Sequence, residues 1–274
     1  LFIESDAKLF IQDLMLNVKN SMFYFDKYWC KKLKKLTDKY PVCLPEYAKT
    51  NGPCDMYYAI NEISENCSNR DIIISDAGFP YYMVAQATKI KSGQRLILPG
   101  ATAPLGYNLP ASIGAAVAGK NRNIICITGD GSLQTNIHEL GTIVVNKLPI
   151  KIFVLNNDGY LSIRITQKTY FEQRYIGESK ETGLGFPDLA KIASAYGLKY
   201  FYAKDNKSLK KVLPEVFDYQ GPILCEIACK KWQTATPTVA SKQLSDGTMI
   251  STSIDDMFPF LPAEELDSIR NDLK

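Results

Sequence analysis

The sequence predicts an α/β fold in which helices cover both faces of a doubly wound, mainly parallel sheet. Residues 124–128 and 152–155 are short apolar runs rich in β-branched residues, as expected of strands buried on both faces. Between them, apolar residues recur at helical spacing from Ile137 to Leu148, and Pro149 ends the pattern. This order of strand, helix and strand predicts a parallel βαβ unit.

Similar segments continue the alternation on both sides of this unit. Helices are predicted at 56–63, 82–90, 109–118, 186–196 and 208–217, and strands at 72–74, 95–98, 199–202 and 223–227. Strands that alternate with helices of this length are typical of a doubly wound sheet.

The composition is that of an ordinary globular chain. Its 274 residues are 46% hydrophobic and 22% charged, with a formal net charge of +3. Basic and acidic residues are intermixed, so the basic run at 31–35 indicates a solvated helix face and no nucleic-acid partner. The sequence shows neither a membrane-spanning apolar stretch nor a signal-peptide pattern, which predicts a cytoplasmic protein without a membrane partner.

Seven cysteines are scattered along the chain, and we expect them to be reduced thiols. Their number is odd, and no two form a CxxC pair. Cys225 and Cys229 lie four residues apart around a predicted strand end, which is a poor spacing for a zinc site.

The ends of the two central strands carry polar residues suited to a hard cation. Asp130 lies between Gly129 and Gly131 after the first run, and Asn157 follows the second. Parallel strands end at the same edge, so both side chains should face one crevice. One carboxylate, one amide oxygen and a nearby backbone carbonyl favour Mg²⁺ completed by phosphate oxygens and water. The alternative is that Asp130 only caps the following helix.

The same turn predicts a phosphorylated ligand. The glycines beside Asp130 let the backbone approach such a ligand closely. The N–H groups of Gly131 and Ser132, at a helix start, can donate to phosphate.

These residues resemble the signature of thiamine-diphosphate-dependent enzymes, nearest to the acetolactate synthase-like branch. The resemblance runs from about Asp71 to about Pro262, and its motif residues are Gly129, Asp130, Gly131, Ser132, Glu139, Leu140, Thr142, Pro149, Asn156, Asn157, Asp158, Gly159 and Tyr160. It implies thiamine diphosphate and Mg²⁺ as cofactors. The implied metal ligands are the Asp130 carboxylate, the Asn157 side-chain oxygen and the Gly159 carbonyl, with Tyr160 among the cofactor-binding residues.

A further cofactor contact is implied at the end of the 72–74 strand. In the family, the backbone N–H groups matching Ala77, Gly78 and Phe79 bind the terminal phosphate. Pro80 stands where acetolactate synthases typically carry histidine, and proline donates no hydrogen bond. The alternative is a plain strand-to-helix turn.

The segment 99–110 resembles the family's loop that bends the cofactor. Leu105 matches the bulky apolar residue beneath the thiazolium ring, and the backbone of Ala103 would face the aminopyrimidine. Bending lets the cofactor remove its own proton. Without the resemblance, the segment would read only as a loop before a helix.

Residues 160–171 are expected to border the substrate pocket. Acetolactate synthases usually place a tryptophan in this neighbourhood, but Trp29 and Trp232 lie elsewhere in this chain. Arg164 or Gln167 is predicted to bind a carboxylate or another polar acceptor, with plain surface exposure as the alternative.

The resemblance also divides the chain into four parts. Residues 1–20 are predicted to be the remnant of a preceding central domain, and 21–55 a linker. Residues 56–230 would form the thiamine-diphosphate- and Mg²⁺-binding domain. Residues 231–274 would form a C-terminal tail able to cover the site.

The resemblance implies an enzyme that decarboxylates a pyruvate-like 2-keto acid and ligates the carbanion to an acceptor. The family's catalytic glutamate lies on a pyrimidine-binding domain of a partner subunit, so no catalytic residue is assigned here and the chain alone is expected to be inactive. A homodimer or homotetramer is implied. Two alternatives stay open: another thiamine-diphosphate-dependent lyase or decarboxylase with a different substrate, and a non-catalytic binding domain.

Overall fold

Six parallel strands form the main sheet of the computed structural model, which describes residues 3–19, 27–119, 122–243 and 246–273. The strands are β1 (Ile72–Ser75), β2 (Arg95–Ile97), β3 (Ile124–Gly129), β4 (Ile150–Asn156), β5 (Lys199–Ala203) and β6 (Ile223–Ala228). They pair in the order β2-β1-β3-β4-β6-β5, and all five pairings are parallel. A separate antiparallel hairpin is formed by β7 (Ser241–Gln243) and β8 (Met249–Ser251).

Helices precede, connect and follow the strands. They are α1 (Ala7–Lys19), α2 (Lys27–Lys39), α3 (Met56–Asn66), α4 (Phe79–Ala87), α5 (Asn108–Ala118), α6 (Asp130–Thr135), α7 (Glu139–Val145), α8 (Leu161–Tyr170), α9 (Leu189–Tyr196), α10 (Asn206–Asp218) and α11 (Ala263–Leu273). Short 3₁₀ helices span Pro45–Lys49 and Lys180–Thr182.

Strand side chains alternate between two buried apolar clusters, one on each face of the sheet. Ile125 and Phe153 pack with α3, α4 and α10 on one face, whereas Ile124 and Ile152 pack with α5, α7 and α9 on the other. Successive strand residues point to opposite faces, so a strand covered on both sides needs a continuous apolar run. The doubly wound α/β fold is confirmed.

The helix predicted from Ile137 to Leu148 is present as α7, although it is shorter than expected, and a separate short helix, α6, precedes it across a break at residues 136–138. At the break, Asn136 has a non-helical φ of −130°, and its side chain donates to the Gly106 carbonyl (3.0 Å). Ile137 and Leu140 still pack toward the core. Apolar residues therefore continue at helical spacing across the break, so the sequence pattern does not reveal it.

The contacts divide the chain into two compact units, one spanning Val42–Phe260 and the other combining Leu1–Pro41 with Leu261–Lys274. In the second unit, Lys39 Nζ and the Tyr40 hydroxyl both donate to Glu265 Oε1 at 2.6 Å, which joins the end of α2 to α11. These boundaries differ from those expected at residues 20, 55 and 230. The origin of residues 1–20 in a preceding domain stays a prediction.

All seven cysteines are free thiols, as expected. Five of them are buried, and burial raises the pKa of the Cys225 thiol to about 12. Such thiols are protonated near neutral pH and are poor nucleophiles. Within the described parts of the chain, no helix combines the length and apolar character that crossing a membrane requires.

Candidate functional site

A cavity of about 270 Å³ opens at the carboxyl ends of β1, β3 and β4. This is the edge where ligands bind in open parallel sheets. Its lining includes every residue predicted to bind the cofactor: Ala77, Gly78, Phe79, Ala103, Leu105, Gly129, Asp130, Gly131, Ser132, Asn157, Gly159 and Tyr160. The structure thus brings together four segments that are far apart in the sequence.

Asp130 begins α6 directly after β3 and is only 3% exposed. One carboxylate oxygen accepts from the Gly131 N–H and the other from the Gly159 N–H, both at 2.9 Å. Burial raises the pKa of this carboxyl from 3.8 to about 6, and these two hydrogen bonds offset part of the rise. Asp130 therefore joins the end of β3 to the loop after β4.

Three oxygen atoms meet at this point without a hydrogen-bond donor between them. The side-chain oxygen of Asn157 lies 3.0 Å from the Gly159 carbonyl oxygen and 3.2 Å from Asp130 Oδ1. Exchanging the amide oxygen and nitrogen would turn both contacts into hydrogen bonds. A cation between the three oxygens would satisfy the arrangement as it stands, because all three are good ligands for a hard metal ion.

The spacing of the three oxygens fits magnesium. Adjacent ligands of an octahedral Mg²⁺ lie about 2.9 Å apart, since each is roughly 2.1 Å from the ion and neighbours subtend a right angle. The observed distances of 3.0 and 3.2 Å are close to that value. Among the described residues, no cluster of three His, Cys, Asp or Glu side chains could hold a metal ion, so an ion here would depend on amide and carbonyl oxygens.

Two glycines make room for the close approach of these segments. A Cβ atom on Gly159, whose φ is +138°, would lie 1.9 Å from the Glu178 carbonyl oxygen. A Cβ atom on Gly131 would lie 2.3 Å from the Tyr160 ring. Both distances are far inside van der Waals contact, so these positions require glycine.

Asp76 joins two of the loops around the cavity to the end of β3. Its Oδ1 accepts from the N–H groups of Ala77 (2.8 Å) and Gly106 (3.1 Å), and its Oδ2 accepts from the Thr128 hydroxyl (2.8 Å). The side chain is fully buried, and burial raises its pKa. The Gly106 N–H also donates to the Ser132 hydroxyl oxygen at 2.9 Å, which adds the start of α6 to the network.

The loop before α5 presents Ala103 and Leu105 to the cavity. Ala103 has a φ of +39°, a left-handed conformation that is strained for a residue with a Cβ atom and recurs at ligand-binding sites. Leu105 lines the cavity and is 45% exposed. An apolar side chain held in this position is available for contact with a ligand.

The first turns of α4 and α8 face the same cavity. Gly78 precedes α4 with a φ of +72°, and Pro80 occupies the first turn, which proline tolerates because its missing N–H would have no helical partner. Ser162 and Ile163 belong to the first turn of α8 and also line the cavity. The Ser162 hydroxyl lies 3.6 Å from where a Cβ on Gly78 would stand.

Arg164 and Gln167, the predicted substrate contacts, do not line the cavity. Arg164 is fully buried and pairs with Glu178 at 2.5 Å. Both ends of the Gln167 amide bond the backbone of Ile176. The Arg164 guanidinium and the Gln167 amide are therefore bound by protein groups, and the geometry does not support the expected carboxylate contact.

The sequence missed several cavity residues. Met56 and Leu155 were not predicted, and Leu161, Ser162 and Ile163 were not singled out although they lie in the segment 160–171 that was expected to border the pocket. Leu155 reads as an ordinary strand residue, and the others lie near helix starts without a distinctive motif. Met56 reaches the cavity because the C-terminal part of the chain fixes its helix: Gln233 accepts from the Met56 N–H (2.9 Å) and donates to Asp55 (2.8 Å).

The residues on both sides of the predicted start of the C-terminal tail, at residue 231, contact the start of α3. Lys230 pairs with Asp55 at 3.0 Å, and the Thr236 N–H donates to the Tyr57 hydroxyl at 2.8 Å. Residues 230–236 thus lie along the start of α3. A covering role for the rest of the tail stays a prediction.

Comparison with known proteins finds one matching family and several relatives with a common name. Residues 76–227 match the sequence family described as "Thiamine pyrophosphate enzyme, C-terminal TPP binding domain". The acetolactate synthase large subunit of Cyanidium caldarium is 33% identical over 244 residues, covering 88% of this chain and 40% of that protein.

Two further relatives carry the same kind of name. The acetolactate synthase large subunit of Pyropia yezoensis is 33% identical over 212 residues, covering 77% of this chain and 35% of that protein. The acetolactate synthase isozyme 1 large subunit of Escherichia coli is 28% identical over 211 residues, covering 77% of this chain and 36% of that protein. The chain therefore spans between 35% and 40% of the length of these relatives.

Proposed function

Because this chain belongs to the thiamine pyrophosphate enzyme family, we propose that it forms the part of such an enzyme that binds the cofactor's diphosphate through Mg²⁺. The observation that carries the proposal is the convergence of the Asp130 carboxylate, the Asn157 side-chain amide and the Gly159 carbonyl, with the amide 3.0 Å from the Gly159 oxygen and 3.2 Å from Asp130 Oδ1. A buried carboxylate facing other acceptors is costly without a cation. Magnesium completed by diphosphate oxygens and water would remove that cost.

The other cavity residues have roles that suit the two ends of the cofactor. Backbone N–H groups near Gly78 and Ser132 would bind phosphate oxygens, as strand-to-helix turns commonly do. Leu105 would support the thiazolium ring, and the Ala103 backbone would face the aminopyrimidine. Bound thiamine diphosphate supplies a carbon nucleophile that decarboxylates a 2-keto acid and transfers the remaining fragment to an acceptor.

The activity that we propose for the whole protein is acetolactate synthase-like, with a pyruvate-like 2-keto acid as donor. It is supported by the names of the relatives, of which this chain spans less than half. The catalytic glutamate is expected on a pyrimidine-binding domain of a partner subunit, in a homodimer or homotetramer. The chain alone should then have negligible activity. A cytoplasmic location is part of the same proposal.

A second candidate is a related lyase or decarboxylase with a different substrate. It is favoured by Pro80 in the cavity wall and by the apolar first turn of α8, where Leu161 and Ile163 line the cavity without a tryptophan. Product analysis with pyruvate and a panel of aldehydes and 2-keto acids, on enzyme that includes the pyrimidine-binding domain, separates the two candidates.

Thermal-shift titration of this chain tests the proposed cofactor site. Thiamine diphosphate should raise the melting temperature only when Mg²⁺ is present, and EDTA should abolish the shift. Asp130→Asn should weaken this response by more than about tenfold, because it replaces a charged metal ligand with a neutral amide.

In Asp130→Asn, the amide NH2 group cannot accept one of the two backbone N–H bonds, but the cost of burying a charge is removed, so the protein should stay folded near neutral pH, which its melting temperature without ligand checks. Loss of binding could then not be attributed to unfolding. Glu215→Gln, which removes an exposed carboxylate on α10, is the matched control. A response to thiamine diphosphate that needs no divalent ion, or that survives Asp130→Asn, would contradict the proposal.

A further inference from the structure

Arg164 is the largest fully buried side chain among the described residues, and its guanidinium contacts three separate segments. Nε donates to Glu178 Oε2 at 2.5 Å. Nη2 donates to the Asp158 carbonyl at 2.8 Å, and Nη1 to the Lys231 carbonyl at 2.6 Å. A weaker contact of 3.4 Å joins Nη1 to the Asn157 carbonyl.

We define the β4–α8 loop as residues 157–160. Its carbonyl groups face two different directions. The carbonyls of Asn157 and Asp158 face the guanidinium, whereas the Gly159 carbonyl faces the Asn157 side chain at the oxygen cluster. Asp158 adopts a left-handed φ of +59°, which is uncommon for a residue with a Cβ atom. The guanidinium therefore holds two carbonyls on one side of the loop while the third lies on the metal side.

Glu178 neutralises the positive charge of the Arg164 guanidinium next to the proposed cation site. It is 4% exposed and pairs with Arg164, and its own backbone carbonyl accepts from the Tyr160 N–H at 2.8 Å. An unpaired guanidinium so close to a divalent ion would repel it, since charges interact strongly in a poorly solvated interior. The pair supplies hydrogen bonds to the loop without adding net charge.

The same guanidinium reaches the C-terminal part of the chain. Its carbon atom lies 5.4 Å from the centre of the Trp232 ring, in addition to the bond to the Lys231 carbonyl. Lys168 Nζ also lies 5.4 Å from that ring centre, but the Lys168 side chain is exposed to solvent. Residues 231–232 are thus coupled to the loop through Arg164.

We propose that Arg164, neutralised by Glu178, is the positioning residue of the metal site: it orients the β4–α8 loop so that the Gly159 carbonyl and the Asn157 side chain reach the ion. The inference rests on the proposed function, because it concerns the same metal site. It replaces the substrate contact expected for Arg164 from the sequence. Arg164 touches neither the ion nor the cofactor in this role.

The test measures Mn²⁺ binding to the full 274-residue chain in the presence of thiamine diphosphate. Free Mn²⁺ is monitored by its electron paramagnetic resonance signal. Arg164→Met should lower Mn²⁺ affinity roughly 10- to 100-fold, the range typical for partners that orient metal ligands. Arg164→Lys should recover only part of the affinity, because an ammonium group lacks the planar fork that bonds several oxygens at once. Lys168→Met removes a cation from the same tryptophan and should stay within about twofold of the unsubstituted chain.

A second pair of variants separates positioning from general stability. The double variant Arg164→Met with Glu178→Gln leaves no unpaired buried charge, so it should fold even where the single variant does not. It should still bind Mn²⁺ weakly. Ile143→Ala, a core substitution in α7 remote from the cavity, destabilises the protein by creating a cavity and should leave Mn²⁺ affinity unchanged.

The outcomes distinguish this inference from the proposed function. If the unsubstituted chain and Lys168→Met bind no Mn²⁺, the metal site itself is refuted, and the role of Arg164 with it. If the unsubstituted chain binds Mn²⁺ and both variants lacking Arg164 bind within about twofold of it, only the positioning role is overturned. An equal loss of affinity in Ile143→Ala would likewise overturn it, by assigning the effect to stability.

Discussion

At the scale of single residues, the distinctive feature is a buried carboxylate that faces other acceptors. Each Asp130 oxygen receives one backbone N–H, yet Oδ1 also lies 3.2 Å from the Asn157 side-chain oxygen. Burying a charged group with incomplete compensation is costly, and the raised pKa of about 6 expresses that cost. We interpret this arrangement as a site that is formed to bind a cation, which would offset the cost.

The pKa of Asp130 predicts a pH-dependent metal affinity. A protonated carboxyl is a poor ligand, so Mn²⁺ affinity should be level above about pH 7 and fall about tenfold per pH unit below pH 6. The measurement is a Mn²⁺ titration from pH 5 to pH 8 at constant ionic strength. Thiamine diphosphate is left out, because phosphate groups also titrate near pH 6.

The pKa of Asp130 also predicts how the free energy of unfolding depends on pH. The pKa of Asp130 is raised in the folded state, so its contribution to stability is greatest at low pH and is lost as pH rises from about 4 to about 6. Bound Mn²⁺ should therefore stabilise the protein more at pH 7.5 than at pH 5. Glu215→Gln should leave the profile unchanged, whereas affinity that is flat between pH 5 and pH 7 would contradict the assignment.

Residue-level prediction from the sequence worked where the motif and its strand context coincided. Asp130 and Asn157 each follow a recognisable buried strand, so their meeting at one edge could be foreseen. Arg164 could not be placed, because an arginine in the first turns of a helix has the same pattern whether it is exposed or buried. Its partners, Glu178 and Lys231, lie 14 and 67 residues away, and only the folded chain joins them.

At the scale of elements, one buried carboxylate sets the relative positions of two loops and the end of β3. Asp76 accepts hydrogen bonds from its own turn after β1, from the loop before α5 and from Thr128 near the end of β3. A buried carboxylate with several donors holds its surroundings in one arrangement, because each lost bond leaves a desolvated oxygen. The shape of the cavity thus depends on contacts beneath it.

Thr128→Val tests this dependence. Valine keeps the shape of threonine but removes the hydroxyl that donates to Asp76 at 2.8 Å, so the free energy of unfolding should fall by about 1–3 kcal/mol. Urea denaturation measures the change. Thr128→Ser keeps the hydroxyl and should cost less than valine, and a valine variant as stable as the unsubstituted chain would refute the role of Asp76.

Element boundaries were less predictable than element types. Helix α4 begins at Phe79, three residues before the predicted start at 82, because Pro80 is tolerated in a first turn. The break between α6 and α7 depends partly on the bond from Asn136 to the Gly106 carbonyl, 30 residues away. Local patterns carry no information about such distant partners.

At the scale of the whole molecule, the fold was predictable because both faces of the sheet are covered. Alternate strand residues enter two apolar clusters, so each strand appears in the sequence as a continuous apolar run. The division into units was not predicted, since Leu261–Lys274 groups with Leu1–Pro41 across more than two hundred intervening residues. Grouping of distant segments leaves no periodic signal.

The share of its relatives' length that this chain spans limits the activity expected of the chain alone. It spans at most 40% of the relatives named above, and the proposed activity requires a pyrimidine-binding domain from a partner. The roles proposed for the residues of this chain are diphosphate and metal binding. The central claim therefore concerns the metal site itself, and it can be tested on this chain directly.

The most direct test is the anomalous diffraction of Mn²⁺ in crystals of this chain grown with thiamine diphosphate. We predict one strong peak within about 2.5 Å of an Asp130 carboxylate oxygen, the Asn157 side-chain oxygen and the Gly159 carbonyl oxygen. The diphosphate should complete the coordination of the same ion. Bound thiamine diphosphate without a peak at these three oxygens, or a peak that excludes Asp130 or Asn157, would contradict the account.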